Sequence, residues 1–86
     1  MNTILSKYSM SRLSMQLVTG IIKPLTVAVQ NNRLYLWAEV PTFGNGANIQ
    51  IIRFSDGTIK IDESLIYLST VIHNERAWHF YYKYVA

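Results

Sequence analysis

The sequence predicts an all-β fold, a small antiparallel sandwich or barrel of six to seven strands built around two β-hairpins. Short runs rich in β-branched and aromatic residues recur along the chain, with turn residues between them. Two pairs of these runs are joined by the two-residue connections that are typical of hairpins. Strands at this spacing are the pattern of sandwiches and small barrels. We expect residues 1–86 to form one β-rich domain.

The first two strands are predicted at "TILSKY", residues 3–8, and "SMQLVTG", residues 14–20. In the second run Met15 and Leu17 alternate with polar residues. The alternative is a helix through residues 4–18. The apolar residues of that segment make a poor helical stripe and no good cap precedes it, so we prefer strands.

The central hairpin is predicted at "LTVAVQ", residues 25–30, and "RLYLWAEV", residues 33–40, joined by Asn31 and Asn32. Asparagine tolerates the left-handed backbone of a type I′ turn. Pro24 fits the start of the first run, where a strand tolerates the loss of an N–H group.

Both faces of "RLYLWAEV" carry large side chains. Leucine, alanine and valine alternate on one face, while Arg33, Tyr35, Trp37 and Glu39 share the other. The second face is either an aromatic platform for a ligand or a second buried surface. A domain this small needs its apolar contacts, so we expect Trp37 to be packed and Arg33 and Glu39 to reach water. Tyr35 is a candidate partner-binding residue.

"PTFGNGAN", residues 41–48, is predicted to be the most flexible loop, because it combines proline, glycine and asparagine. Phe43 lies in the middle of this loop and is expected to be an exposed anchor for a partner. The alternative is that Phe43 folds back onto the core as a lid.

The next strand is "IQIIRF", residues 49–54, in which the alternation slips. Either a bulge lies near Ile51 or both faces of the strand are covered. "SDGT", residues 55–58, is a turn, and residues 59–65 form a short strand or an irregular return.

The second hairpin joins "IYLSTVIH", residues 66–73, to "RAWHFYYKYV", residues 76–85, through an Asn-Glu turn. In the last strand one face should be buried and the other more exposed; these faces carry Trp78, Phe80 and Tyr82, and His79, Tyr81 and Lys83, respectively. As the final strand it is expected to lie at a sheet edge that can take an added strand, where Lys83 would hinder unwanted pairing. Tyr81 and Lys83 are therefore candidate partner-binding residues. The alternative is an internal strand, with the binding surface at Tyr35, Phe43 or the basic N-terminal half.

The charge of the chain is uneven. The formal net charge is +3, and residues 1–38 hold four basic residues and no acidic one. Such asymmetry fits an anionic partner, although the bases are spread along the sequence rather than clustered.

The chain has no cysteine, which fits a reducing compartment. No apolar run approaches the roughly 20 residues that cross a bilayer, and no secretory leader is recognisable, so we expect no membrane partner.

The sequence offers little chemistry. His73 and His79 lie on adjacent predicted strands and are expected to come close, but with Glu75 they make an incomplete set of metal ligands. No nucleophile motif and no phosphate loop is present. We expect no catalytic residue, no metal and no cofactor, and therefore no enzyme.

The two hairpin blocks, "LTVAVQNNRLYLWAEV" and "IYLSTVIHNERAWHFY", resemble those of a family of small phage and prophage proteins. "LSKY" near the N-terminus loosely matches the first strand of that family. The most specific matches are Gln30, Asn31, Leu36, Trp37, Ala38, Trp78 and His79. Asn32 and Ser69 stand where the family usually has glycine. The resemblance implies a β-rich fold and a viral origin, and it carries no activity.

These observations lead to an expected function. The chain is expected to be a phage accessory protein in the host cytoplasm that binds a host or phage protein and inhibits a host defence or regulatory complex. The alternatives are a nucleic-acid-binding β module, which the interleaved aromatic and basic residues suggest, and a virion component or homo-oligomer.

Overall fold

Seven antiparallel strands make up the computed structural model, which describes residues 3–58 and 62–85. The strands are β1 (Thr3–Ser9), β2 (Met15–Ile21), β3 (Lys23–Gln30), β4 (Arg33–Pro41), β5 (Ala47–Ser55), β6 (Ile66–His73) and β7 (Arg76–Val85). No helix occurs among the described residues, so the helix considered for residues 4–18 is not formed. The prediction of an all-β fold is confirmed.

The strands form two sheets that pack face to face. The three-stranded sheet has the order β1-β4-β3, and the four-stranded sheet has the order β2-β5-β7-β6. The two sheets are not joined into a closed barrel, so the fold is a sandwich. β7 lies between β5 and β6 and is paired on both sides. The prediction that the last strand is a free edge is therefore wrong, because its backbone is paired with β5 on one side and with β6 on the other.

Both predicted hairpins are confirmed, with the backbone geometry that their turns require. Asn31 and Asn32 have φ angles of 52° and 59°, and Asn74 and Glu75 have φ angles of 53° and 63°. Two consecutive residues with positive φ are the mark of a type I′ turn, whose twist matches that of the flanking strands. Each turn therefore sets the register of its hairpin.

The core lies between the inner faces of the two sheets, where alternate residues of each strand meet. Its buried members are Val18, Ile21, Val27, Leu34, Leu36, Ala38, Ile49, Ile51 and Phe80. Phe80 in β7 is fully buried, and Trp78 and Tyr82 on the same face pack against the core while partly exposed. The predicted direction of this face is therefore confirmed, but only Phe80 is fully buried, and the outward residues His79, Tyr81 and Lys83 are half-buried like Trp78 and Tyr82.

Irregularities in pairing occur at places other than the one predicted. The ladders of β5 run without a shift through Ile51, so the bulge expected there is absent. Ile52 and Phe54 are instead half-buried on the outer face, which agrees with the alternative that both faces are covered. In β2 a register shift between Val18 and Ile21 turns Ile21 inward, although Met15 and Leu17 face outward.

The edge of β3 is covered by β6. The Ser69 hydroxyl accepts a hydrogen bond from the backbone N–H of Val27 at 2.9 Å and donates one to the carbonyl of Val27 at 3.3 Å. A register shift between Tyr67 and Ser69 accompanies these bonds. A side chain thus satisfies backbone groups of an edge strand, which reduces pairing with other chains.

The structure defines two of the connections between strands more closely than the sequence did. The loop after β4 is shorter than the predicted 41–48, because β4 runs through Pro41 and β5 begins at Ala47. Of the predicted strand or irregular return, residues 59–61 lie outside the described residues. The described remainder, residues 62–65, holds a turn and no strand, and Leu65 is buried.

Truncating Phe80 to alanine is expected to lower the free energy of unfolding by about 3–5 kcal/mol, because the side chain is fully buried at the centre of the core. A domain of this size has little more than that to lose. Lys83→Ala, in the same strand but on the outer face, should cost less than about 1 kcal/mol. Chemical denaturation followed by circular dichroism measures both. Similar losses for the two variants would contradict the assignment of the faces.

Gly46→Ala is expected to destabilise the protein by about 1–3 kcal/mol, as overpacking does. A Cβ atom at Gly46 would overlap the Gly20 carbonyl carbon and lie 2.6 Å from both the Gly20 oxygen and the Ile21 nitrogen. Those neighbours are backbone atoms and cannot rotate away. Asn45→Ala, one residue earlier and exposed, serves as the control and should change stability by less than about 0.5 kcal/mol. Equal melting temperatures for the two variants would show that the backbones do not meet there.

Candidate functional site

The outer face of the three-stranded sheet carries two aromatic side chains and a lysine that crosses them. We call Lys7, Tyr35 and Trp37 the aromatic face. The register pairs Lys7 of β1 with Trp37 of β4, so all three side chains project from the same side. The Lys7 ammonium lies 4.5 Å from the centre of the Tyr35 ring and 5.8 Å from the Trp37 ring, and it donates a hydrogen bond to Gln30 at 2.9 Å.

The uneven charge of the sequence becomes a basic surface here. Lys23 pairs with Glu39 and Arg33 pairs with Gln30, which places both bases on the same outer side as Lys7. Glu39 is the only acidic residue of these three strands. The outer side of this sheet therefore has three bases against one acid.

Trp37 is placed differently from the prediction. It is half-buried on the outer face and does not belong to the core, so the expected second packed surface is wrong for this residue. Trp78, by contrast, lies on the inner face of its sheet and packs against the core. The cause is the layer order: the three-stranded sheet has the four-stranded sheet on only one side.

Phe43 lies in the loop that follows β4 and is 85% exposed. The prediction that it is exposed is confirmed, and it does not act as a lid on the core. Because Phe43 follows the strand that carries Tyr35 and Trp37, it lies beyond one end of the outer side of that sheet. Leu5 of β1, 63% exposed, adds apolar area to the same outer side.

Tyr81 and Lys83 lie on the opposite side of the molecule, on the outer face of the four-stranded sheet. The Tyr81 ring meets the rings of Phe54 and Tyr67 edge-on, with centroids 5.7 and 5.5 Å away. Lys83 pairs with Asp62 at 3.7 Å, in the connection that leads to β6. The sequence-predicted residues therefore do not form one site, since Tyr35 and Tyr81 face away from each other across the core.

The two histidines also lie on opposite faces, so the expectation that they approach each other is wrong. His79 is on the outer face, where its ring is 2.5 Å from an Asp56 oxygen and 3.0 Å from the Thr70 hydroxyl. His73 is three residues beyond Thr70 and therefore on the inner side, where its Nε2 lies 2.8 Å from the Asn32 carbonyl oxygen. In the part of the chain that is described, no three acidic or histidine residues are grouped for a metal.

One end of the sandwich holds an open cavity of about 840 Å³. Its walls come from the β1–β2 connection, the two hairpin turns and the adjoining strands, and they include all four arginines of the chain. We call this cavity, defined by Arg12, Arg33, Arg53 and Arg76, the arginine cleft. None of the described residues that line it is acidic.

Arg53 forms the fixed inner part of the arginine cleft. It projects from the inner face of β5, and its guanidinium donates a hydrogen bond to the Ser11 carbonyl. The guanidinium carbon is 5.3 Å from the ring centres of both Trp78 and Phe80. Burial lowers the pKa of Arg53 from its ordinary value, but the group remains charged because arginine titrates so far above neutrality.

The sequence contains a signal for this cleft that the prediction of scattered basic residues did not use. Each two-residue hairpin turn is followed directly by an arginine, in "NNR" and in "NER". The bases look scattered along the chain because they are far apart in sequence. The fold brings together Arg33 and Arg76 at the ends of their hairpins, Arg53 from β5, and Arg12 from the connection before β2.

The described residues, 3–58 and 62–85, contain no helix with the length and apolar character that a membrane span needs.

Arg53→Gln is expected to lower the free energy of unfolding by about 1–3 kcal/mol, because it removes the bond to Ser11 and the stacking on two aromatic rings. Arg76→Gln removes an exposed arginine from the same cavity and should cost less than about 1 kcal/mol. Urea denaturation of the two variants measures the difference. If Arg76→Gln were as damaging, the two arginines would not have distinct structural and free roles.

Comparison with known proteins gives a family and no function. No curated protein and no solved structure matches the chain. A family model described as a domain of unknown function, DUF7352, matches residues 1–86. Because this match covers the whole chain, the protein belongs to the DUF7352 family.

Proposed function

We propose that this protein is a small phage accessory protein that acts in the host cytoplasm by binding a host or phage protein, without catalysing a reaction. The phage origin rests on the resemblance of the two hairpin blocks. The observation that carries the binding role is the aromatic face, where Tyr35 and Trp37 lie half-exposed beneath Lys7 on a sheet surface with a basic surround.

The aromatic face has the composition of a protein-binding surface. Tyrosine, tryptophan and arginine are the residues that most often dominate binding energy, because they combine large apolar area with a polar group. The β-sheet holds Tyr35 and Trp37 in place, so little side-chain entropy is lost when a partner binds. A site on a rigid strand also positions its anchors more precisely than one on a loop.

The charge of this face indicates the chemistry of the partner. Lys7, Lys23 and Arg33 project from the same outer side. A partner with an acidic surface around an apolar centre would match it, and the charges would speed its approach. Phe43, exposed at the end of the sheet, would extend the contact as a further anchor.

Such a protein would act by occupation. A rigid sandwich of this size that covers a functional surface of a host defence or regulatory complex would inhibit it without chemistry. The half-buried aromatic pair would form the centre of the contact, and the lysines would form its polar rim.

Tyr35→Ala and Phe43→Ala are each expected to weaken partner binding at least about tenfold, as loss of an interface anchor does. The stability of each variant should change by less than about 1 kcal/mol, because neither side chain belongs to the core. Tagged wild-type protein would first capture its partner from host lysate, and the affinity of that purified partner for each variant would then be measured. Leu13→Ala is the matched control, since Leu13 is an apolar loop residue that is 69% exposed.

Two results would contradict the proposal. The first is capture of nucleic acid with no protein at physiological salt, which would favour the nucleic-acid-binding alternative. The second is equal affinity of wild type, Tyr35→Ala and Phe43→Ala for the captured partner, which would remove the aromatic face from the interface. Light scattering at two protein concentrations would show whether the captured protein is a second copy of this chain, as the homo-oligomer and virion alternatives require.

A further inference from the structure

The arginine cleft concentrates positive charge more strongly than any function proposed above requires. Its four arginines come from four separate parts of the chain and line one cavity. Bringing like charges together costs electrostatic free energy in a domain of modest stability. A bound anion would offset that cost.

No ion pair among the described residues neutralises the charges of the arginine cleft. Among the described residues the ion pairs join His79 to Asp56 and Lys83 to Asp62, and neither includes an arginine. Glu75 is next to the cleft in sequence, but it is exposed in the turn before β7 and does not line the cavity. The positive charges of the cleft therefore lack an acidic partner among the described residues, and an anion could neutralise them.

The arginine cleft is also partly preorganised. Arg53 is held by Ser11 and by the two rings described above. The Arg76 guanidinium carbon lies 5.7 Å from the centre of the same Trp78 ring, so one indole orients two of the four arginines. Asn31, Asn32 and Asn74 of the hairpin turns add side-chain amide donors to the wall.

We infer that the arginine cleft is a binding site for a ligand that carries consecutive phosphate groups. The inference goes beyond the proposed protein-binding function and uses a different surface. Guanidinium groups bind phosphate oxygens in a bidentate manner, and a phosphate offers more acceptor oxygens and more charge than a carboxylate. A ligand that complements four arginines must carry several negative charges within the volume of one cavity. Consecutive phosphates supply them in a single ligand.

The size of the cleft admits two sources of such phosphates. A cavity of about 840 Å³ is within the range of small-ligand sites and large enough for a nucleotide. Its open shape also admits the backbone of a single nucleic-acid strand. A nucleoside triphosphate and a nucleic-acid strand present the same phosphate chemistry, and the experiment separates them.

The test measures binding of two probes, ATP without metal and a short fluorescent oligothymidine, to the full chain by calorimetry and anisotropy. Arg12→Gln and Arg76→Gln are the test variants, because both arginines line the cleft and neither belongs to the aromatic face. Each is expected to weaken binding of the preferred probe at least about tenfold and to lower the salt slope by about one for the oligonucleotide. Lys23→Gln removes the same charge outside the cleft and should change affinity less than about twofold.

The arms of the experiment identify the source. Tight ATP binding that the oligonucleotide does not displace assigns a nucleotide, and oligonucleotide binding without ATP binding assigns a strand; both support the site. Arg76→Lys keeps the positive charge but loses the planar guanidinium that binds phosphate in a bidentate manner. Its affinity for the preferred probe should lie between those of wild type and Arg76→Gln. Thermal melting of each variant confirms that it is folded.

Three results would overturn the inference. One is no binding of either probe at low salt by the folded wild type. Another is an equal loss of affinity in Lys23→Gln and Arg76→Gln, which would show only the attraction of the net charge. The third is preferential binding of an acidic peptide over both probes, since it would assign the cleft to carboxylates.

Discussion

The inner faces of two small sheets must bury each other in this protein, and the rest of the structure depends on that packing. Phe80, Leu36, Ile49 and Ile21 are fully buried between the sheets. Successive side chains of a strand point to opposite faces of the sheet, so the neighbours of each core-facing residue face outward. The described strands form only these two layers, so none of them covers the outer side of the three-stranded sheet. Tyr35 and Trp37 remain half-exposed for that reason.

The same constraint explains why the arginines converge. The two type I′ turns lie at one end of the sandwich, where His73 of the second hairpin reaches the Asn32 carbonyl of the first. Arg33 and Arg76 follow these turns directly, and each therefore starts a strand at that end. Arg53 near the end of β5 and Arg12 in the first connection complete the group. The concentration of charge is thus a product of hairpin register and sheet packing together.

The aromatic face and the arginine cleft differ in shape and in the side chains that they present. The first is a sheet surface on which aromatic rings supply apolar area and lysines supply a polar rim. The second is a cavity lined by arginine and asparagine residues, and none of its described lining residues is acidic. Arg33 lies between them, since it starts β4 on the same outer side as the aromatic face and also lines the cavity. A partner that bridges the two surfaces would contact this residue.

The sequence by itself determined the strands, the two hairpin turns and the inner face of β7, because these depend on residues that are close together in the chain. Alternation in "RLYLWAEV", paired asparagines and the Trp-Phe-Tyr face of the last strand are local signals of this kind. The tertiary structure alone decided that β7 is internal, that Trp37 is outside the core and that Tyr35 and Tyr81 face opposite ways. It also decided that four dispersed arginines share one cavity. The order of strands in each sheet and the packing of the two sheets depend on contacts between residues far apart in the chain. The strands have similar hydrophobic patterns, so no local preference of the chain distinguishes one strand order from another.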